Sequence, residues 1–196
     1  MVANPRRRAD VTDAALLILG RDGSRALTHR AVDRLADVPL GTCANYFPSR
    51  SALVLAVAHR IYDRLAPDPE RLADLVAVQP SDAPAQYVGY VVERLTKNPD
   101  LARALIELRL EASRSSDVFD ALAPFVRAGL QDDVSFHVDR GLPGGRETVL
   151  LLHHVVNGIL LDHLSIPLDP RSDPAATARE AARRLTAVVP AVDPEL

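Results

Sequence analysis

Tryptophan is absent from this chain, lysine, cysteine and methionine occur once each, and aromatic residues make up only 4% of its 196 positions. A lone Cys43 excludes an internal disulfide, and with it the small disulfide-stapled scaffolds, and it suits a reducing compartment. Alternating β-branched runs are almost missing, which removes the usual signature of sheets. No apolar stretch reaches the roughly 20 residues that a bilayer-spanning helix needs. The Arg6-Arg7-Arg8 cluster precedes apolar Ala14 to Leu19, but Asp10 and Asp13 interrupt the approach and no small-residue cleavage site follows. No export signal is therefore expected, the chain reads as cytoplasmic, and the three arginines fit two readings, a flexible basic arm able to follow a DNA groove or backbone, or a disordered solvated tail. Of the 23 basic residues 22 are arginine, a bias that reflects a GC-rich genome rather than a function.

What is present is helix-forming. Hydrophobic residues reach 47%, enough for a substantial core, in a length that fits one ordinary domain or a small domain fused to a larger one. Apolar positions three and four apart, punctuated by fifteen prolines, predict a helix from Val11 to Leu19 ending at Gly20 and another over Arg50 to Leu65. Further helices are predicted over Arg71 to Val78, Pro84 to Lys97, Pro99 to Ser113, Val118 to Arg140, Glu147 to Ser165 and Pro174 to Val189. The net charge of −3 hides an asymmetry: the first 66 residues hold ten Arg and six Asp, the remainder 13 basic and 20 acidic residues. Positive charge is concentrated at the N-terminal end.

That end contains LTHRAVDRLADVPLGTCANYFPSR, from Leu27 to Arg50. Thr28 can cap a helix whose Ala31, Val32, Leu35 and Ala36 share one face. Asp37 tolerates the left-handed backbone of a tight turn, and Pro39 offers a pre-set φ for restarting. The second segment, Leu40 to Phe47, is too short to be stable alone and too mixed in polarity for a core helix, while Gly41, Thr42 and Asn45 are small enough to approach a base edge. This is the layout of a helix-turn-helix that reads DNA. Arg30 fits two readings, an exposed helix arginine or a fork pairing with guanine O6 and N7. Phe47 reads as core, Cys43 as a small buried filler rather than a reactive thiol.

Together with the Gly41-Thr42 pair, Tyr46-Phe47, and Ser49-Arg50 before a long apolar helix, these features resemble the DNA-binding domain of the tetracycline-repressor (TetR) family. The resemblance implies an all-α fold, with an N-terminal three-helix DNA-binding domain over residues 1–49 and a larger C-terminal helical ligand-binding and dimerisation domain over 50–196. It implies that Thr28 and Tyr46 hold phosphates, that Arg50 approaches the DNA backbone, and that Arg30, Leu40, Gly41 and Thr42 face bases. The chain departs from the pattern at Asp37, where Gly is usual, at Pro39, where Ser commonly caps, and at Cys43-Ala44, where Leu-Tyr is usual. The missing tyrosine removes one phosphate contact and shifts weight to Asn45.

The last two predicted helices, about 147–165 and 174–189, suit a homodimer interface. Val149, Leu150, Leu152, Val155, Val156, Ile159, Leu160 and Leu164 cover more than one face, and Ala178, Ala181, Ala182 and Leu185 offer a smooth partner; a helix buried on all sides within one chain is the other reading. Twofold symmetry would present two recognition helices to a palindromic double-stranded DNA operator. For an unidentified small-molecule effector, the resemblance implies a cavity among the C-terminal helices. Tyr87, Tyr90 and Arg94 on one face, Glu107, Leu108 and Glu111 on the next helix, and Asn157 within an apolar run are the polar-bearing positions there; the alternative is that Arg94 or Arg109 bridges a Glu to lock helices together. Adjacent His153 and His154, with His163, lack the spacing of a helical metal site. No nucleophile elbow, phosphate-cradling Gly loop or Glu-x-x-His companion for Glu107 and Glu111 is present, so no enzyme, metal or cofactor is expected. The sequence thus reads as a ligand-released homodimeric repressor, against a helical scaffold whose N-terminal motif no longer reads DNA.

Overall fold

The computed structural model describes residues 4–66 and 68–187, which form ten α-helices and no strand. They pack as two compact units, neither of them a continuous piece of chain. The first contains α1 (Pro5–Asp22), α2 (His29–Leu35), α3 (Thr42–Tyr46), α4 (Arg50–Arg64), α7 (Pro99–Ala112) and the opening of α8 (Ser116–Asp139). The second contains α5 (Pro69–Val76), α6 (Ala83–Lys97), the remainder of α8, α9 (Gly145–Leu164) and α10 (Pro174–Ala187). The predicted end of the last helix, Val189, lies outside the described residues.

In the first unit, α1 starts earlier than apolar spacing suggests. Asn4 caps it by accepting from the Arg7 N–H, and Pro5 occupies the first turn, where its missing N–H has no cost. Arg6, Arg7 and Arg8 are therefore helical, not a flexible arm, and Arg8 lies 5.0 Å over the Phe47 ring. Nor does the helix stop at Gly20. That residue is buried in α1, and a Cβ there would sit 2.2 Å from the Asp100 carbonyl oxygen. Its lack of a side chain lets α1 and the start of α7 cross at backbone contact, a crossing sealed by Arg21 Nε donating to Asp100 Oδ2 at 2.8 Å. The chain leaves α1 at Gly23, whose φ of 79° suits glycine.

Val11, Leu16 and Leu19 of α1 meet Leu53, Val54, Val57 and Ile61 of α4, and α7 completes this core with Leu101, Ala104 and Leu108. Arg60 grips Asp13 with two bonds of 2.7 Å, and this pairing holds the Asp13 carboxyl below its usual pKa while raising that of Arg60. In the second unit α6 lies against α10, with Val88 and Val92 beside Ala175, Ala178 and Ala182, and Leu152 of α9 joins them. Ala178 and Ala182, expected on the face offered to a second subunit, are thus consumed inside the chain. Gly89 leaves room for the Arg179 stem, whose guanidinium reaches Glu93 at 2.9 Å. Among the described residues no helix is long and apolar enough to cross a membrane.

A methyl group at Gly20 meets backbone rather than a movable side chain. Gly20→Ala is expected to lower unfolding stability by about 1–3 kcal/mol despite alanine's better helix propensity, as read from urea denaturation beside wild type. An unchanged or raised midpoint would show that α1 and α7 do not cross this closely.

Candidate nucleic-acid interface and effector pocket

Thr28 caps α2 by accepting from the Ala31 N–H at 3.1 Å, and Asp37 turns the chain with φ 50°, both as its residue types predict. Pro39 acts differently. It does not open the next helix; its carbonyl accepts from the Thr42 N–H at 3.1 Å and from the Thr42 hydroxyl at 2.5 Å, closing a turn ahead of α3. Helix α3 is shorter than the predicted segment, and its N-cap, Gly41, has φ 90° and no side chain to cap with. The free N–H groups are met from α2 instead. Asp33 is buried at 1% exposure, its Oδ2 accepts from the Gly41 N–H and its Oδ1 from the Cys43 N–H, each at 2.7 Å.

Sequence reasoning passed over Asp33, whose only signal was an acid placed three residues before Ala36, near the apolar face. His29 was also passed over: its Nε2–H donates to the Phe47 carbonyl at 2.7 Å and fastens the far end of α3. Cys43 is fully buried, and burial, with the Asp33 charge adding to it, pushes its thiol up to about 12. It is a neutral filler at physiological pH.

Over this braced base lie Thr28, Arg30, Gly41 and Asn45, all exposed, with Leu40 at 64% exposure. Thr42 is half-buried through its turn hydrogen bond. Tyr46 is half-buried, its hydroxyl 3.3 Å from both the N–H and the carbonyl oxygen of Asn4, so it ties α3 to the start of α1. Arg50 departs most from expectation. Its Nε pairs with Glu111 Oε1, one terminal nitrogen bonds Glu111 Oε2 at 2.9 Å and the Ser24 carbonyl at 2.6 Å, and the other bonds the Leu27 carbonyl at 2.6 Å. The guanidinium is directed into the protein and fixes the loop entering α2.

The second unit encloses a pocket of about 430 Å³. Tyr87, Tyr90 and Arg94 line it, with Val88, Val91, Leu152 and Val156 as apolar wall. Glu107, Leu108 and Glu111 do not. Glu107 Oε2 accepts from the Ser24 N–H at 3.2 Å, Leu108 belongs to the core of the first unit, and Glu111 is the buried partner of Arg50. Glu107 ties α7 to the loop after α1 and Glu111 ties α7 to Arg50 of α4, whereas the alternative reading named Arg94 or Arg109 as the bridge. Asn157 is likewise off the lining, its amide donating to the His153 carbonyl within α9 at 2.7 Å. Missed on the lining are Asp132, Asp133, Phe136 and His137 of α8, a helix whose apolar period gave no sign of a concave side. His153 meets Asp133 at 3.0 Å, and among the described residues no group of three or more His, Cys, Asp or Glu side chains is poised to hold a metal.

Residues 79–188 match the family described as tetracyclin repressor-like, C-terminal domain. The HTH-type transcriptional repressor KstR of Mycolicibacterium smegmatis is 28% identical over 193 residues, 95% of this chain and 87% of that protein. The multidrug binding protein EbrR, in its crystal structure with ethidium, is 27% identical with a TM-score of 0.70, covering 93% of this chain and 99% of that one. The TetR-family structure SCO1917 from Streptomyces coelicolor A3 is 25% identical with a TM-score of 0.70, covering 95% and 99%.

If the Asp33 carboxylate holds α3 in place, Asp33→Asn, which substitutes a donor for one acceptor, should cost about 2–3 kcal/mol of stability and speed amide hydrogen exchange at Gly41 and Cys43 selectively. Unchanged exchange at those two amides would remove Asp33 from this role.

Proposed function

This chain belongs to the tetracycline-repressor (TetR) family of transcriptional regulators, and on that premise we propose that it is a homodimeric, ligand-responsive DNA-binding repressor acting in the cytoplasm. Residues 1–49 serve as the reading head, and residues 50–196 as connecting helix, effector site and dimerisation surface. The observation that carries this reading is the exposed set of Arg30, Leu40, Gly41 and Asn45 seated on a turn braced by a buried carboxylate. An exposed leucine and glycine at the tip of a five-residue helix add nothing to a core; they fit a surface that closes on something else.

Arg30, Leu40, Gly41 and Thr42 are assigned to base edges, and Thr28, Asn45 and Tyr46 to phosphates. Phosphate contacts supply affinity without sequence information and weaken steeply with salt. Arg50, its donors occupied by Glu111 and two backbone carbonyls, acts as a brace for the head. An effector in the pocket of the second unit weakens operator binding only as far as it prefers the released conformation, typically about 1–3 kcal/mol of coupling. EbrR, a multidrug binding protein captured with ethidium, is a structural relative, and KstR is a repressor; both support this reading.

Dimerisation is assigned to α9 and α10. Leu151 and Leu161 stand 48% and 53% exposed on α9, and Gly158 lies between them with nothing within 4 Å of its Cβ position. A twofold axis near Gly158 would let two copies of α9 approach closely and bury both leucines, with α10 flanking to complete a four-helix bundle.

A labelled duplex from upstream of the chain's own gene should be shifted by the wild-type protein, with affinity falling steeply as salt rises; a scaffold would leave it unshifted. Arg30→Ala should cost about 1–3 kcal/mol and relax discrimination at one operator position, while Tyr46→Phe should weaken all sequences alike. Unaltered affinity and preference in Arg30→Ala would remove its role as a base reader. Sedimentation should give a dimer for wild type and a monomer for Leu151→Asp combined with Leu161→Asp; a wild-type monomer at micromolar concentration would end the dimer assignment.

A further inference from the structure

Helix α9 carries one exposed stripe with the spacing that seats one helix against another. Glu147, Leu151, His154, Gly158, Leu161 and Ser165 are all exposed and follow one another at alternating steps of four and three. Among the described residues nothing covers the middle of this stripe: a Cβ on Gly158 would meet no atom within 4 Å.

Beside Gly158 the surface is hollow. A pocket of about 320 Å³ lies between the end of α9, the loop after it and the start of α10, with Gly158, Ile159, Asp162 and Leu168 on its lining. Its titratable side chains are Asp162, Asp169 and His163. Asp162 Oδ1 accepts from the Leu168 N–H at 3.1 Å, and Asp169 Oδ1 accepts from the Arg171 N–H at 3.0 Å with the Arg171 guanidinium 3.8 Å away. Each acid keeps a second oxygen that is bonded to nothing among the described residues. Two carboxylates against one imidazole call for a hydrogen-bond donor or a positive charge, beside a Leu168 left 94% exposed.

The direction in which two copies of α9 pair decides what enters that pocket. In a parallel pair each residue meets its own copy, so Glu147 opposes Glu147, His154 opposes His154, and two glycines face each other across a void; like charges held opposite each other repel. An antiparallel pair with its twofold axis at the level of Val156 matches unlike residues. Leu151 then meets the partner's Leu161, His154 the partner's Gly158, and Glu147 the partner's Ser165. A shift of one heptad in either direction pushes one leucine past the end of the stripe. Antiparallel pairing also sets the positive end of each helix dipole beside the negative end of the other. The imidazole thus lies over the one position without a side chain, one turn from the partner's Asp162.

We propose that α9 pairs with α9 of a second copy of this chain in this antiparallel register, and that His154 of each copy enters the pocket beside the partner's Gly158 and donates to the partner's Asp162. This inference rests on the reading of α9 as the dimer helix and adds the direction, the register and the side chain that fills each pocket.

Engineered thiols read the register in the full-length protein, because the natural Cys43 is buried and does not compete. Leu151→Cys places its two copies about 15 Å apart, as does Leu161→Cys, too far for a disulfide, whereas the variant with both substitutions sets each thiol against the other one of the partner. Under mild oxidation the double variant should run as a covalent dimer on non-reducing gels and each single variant as a monomer. A single variant that crosslinks as readily as the double one, or a double variant that stays uncrosslinked while wild type sediments as a dimer, would overturn the register. For the pocket, His154→Ala should raise the dimer dissociation constant about tenfold, Asp162→Asn should do the same, and the two together should do little more than either. Absent or additive effects would overturn the contact, and His154, being exposed, can be replaced without disturbing the fold of the chain. Wild type sedimenting as a monomer is a separate result, which sinks the dimer reading itself and this inference with it.

Discussion

A buried carboxylate holds the reading head together. Helix α3 has five residues, far below the length at which a helix is stable in water, and its cap is a glycine that offers no side chain. Without an outside acceptor the buried Cys43 N–H would go unpaired, a penalty of about 1–3 kcal/mol, and the Gly41 N–H would lose its partner within the turn. Asp33 removes that penalty by lending both oxygens from α2 to the Gly41 and Cys43 N–H groups. Because both contacts are charge-assisted and short, they set the orientation of α3 as well as its existence. The angle at which Leu40, Gly41 and Asn45 are presented is thus inherited from the preceding helix.

A second layer of polar contacts fixes the frame in which α2 sits. Glu107 and Glu111 of α7 reach the Ser24 N–H and Arg50, and Arg50 in turn holds the Ser24 and Leu27 carbonyls just before Thr28 caps α2. Three helices therefore converge on one loop. A single guanidinium can do this because its planar fork holds five N–H donors in a fixed geometry, against three rotatable ones on an ammonium. Beneath it, the Arg60 and Asp13 pair holds α4 to α1, and the Arg21 and Asp100 pair seals the crossing of α1 with α7.

Local features were legible in the sequence. The Thr28 cap, the left-handed Asp37 and the helix starting at Arg50 depend on neighbours within a few positions, and residue type alone carried them. Features that depend on a distant partner were not. Gly20 was read as a helix stop because glycine often ends helices, yet its reason for being there lies at Asp100. The spacing of Glu107 and Glu111 fixes a shared face but not what it faces; Glu107 meets the Ser24 N–H, and Glu111 meets Arg50, 61 residues earlier. Ala178 and Ala182 were offered to a second subunit when α6 covers them. Tyr87, Tyr90 and Arg94 were found because a common face on one helix is visible in periodicity, whereas the pocket residues of α8 had no such mark. Arg6 to Arg8 were read as a tail because charge alone does not reveal a helix that Asn4 and Pro5 have already started.

The interleaving of the chain has a consequence for how such proteins can be recombined. Leu101, Ala104 and Leu108 close the same core as α1 and α4, although some thirty residues belonging to the other unit separate them from α4 along the chain. A cut after Ala66 would strip that core of one wall and leave Arg50 without its carboxylate. The head is therefore not a cartridge that can be unplugged at the end of its motif and grafted elsewhere. Any chimaera that borrows its specificity has to carry the stretch around α7 with it, or supply a substitute helix bearing an acid where Glu111 stands.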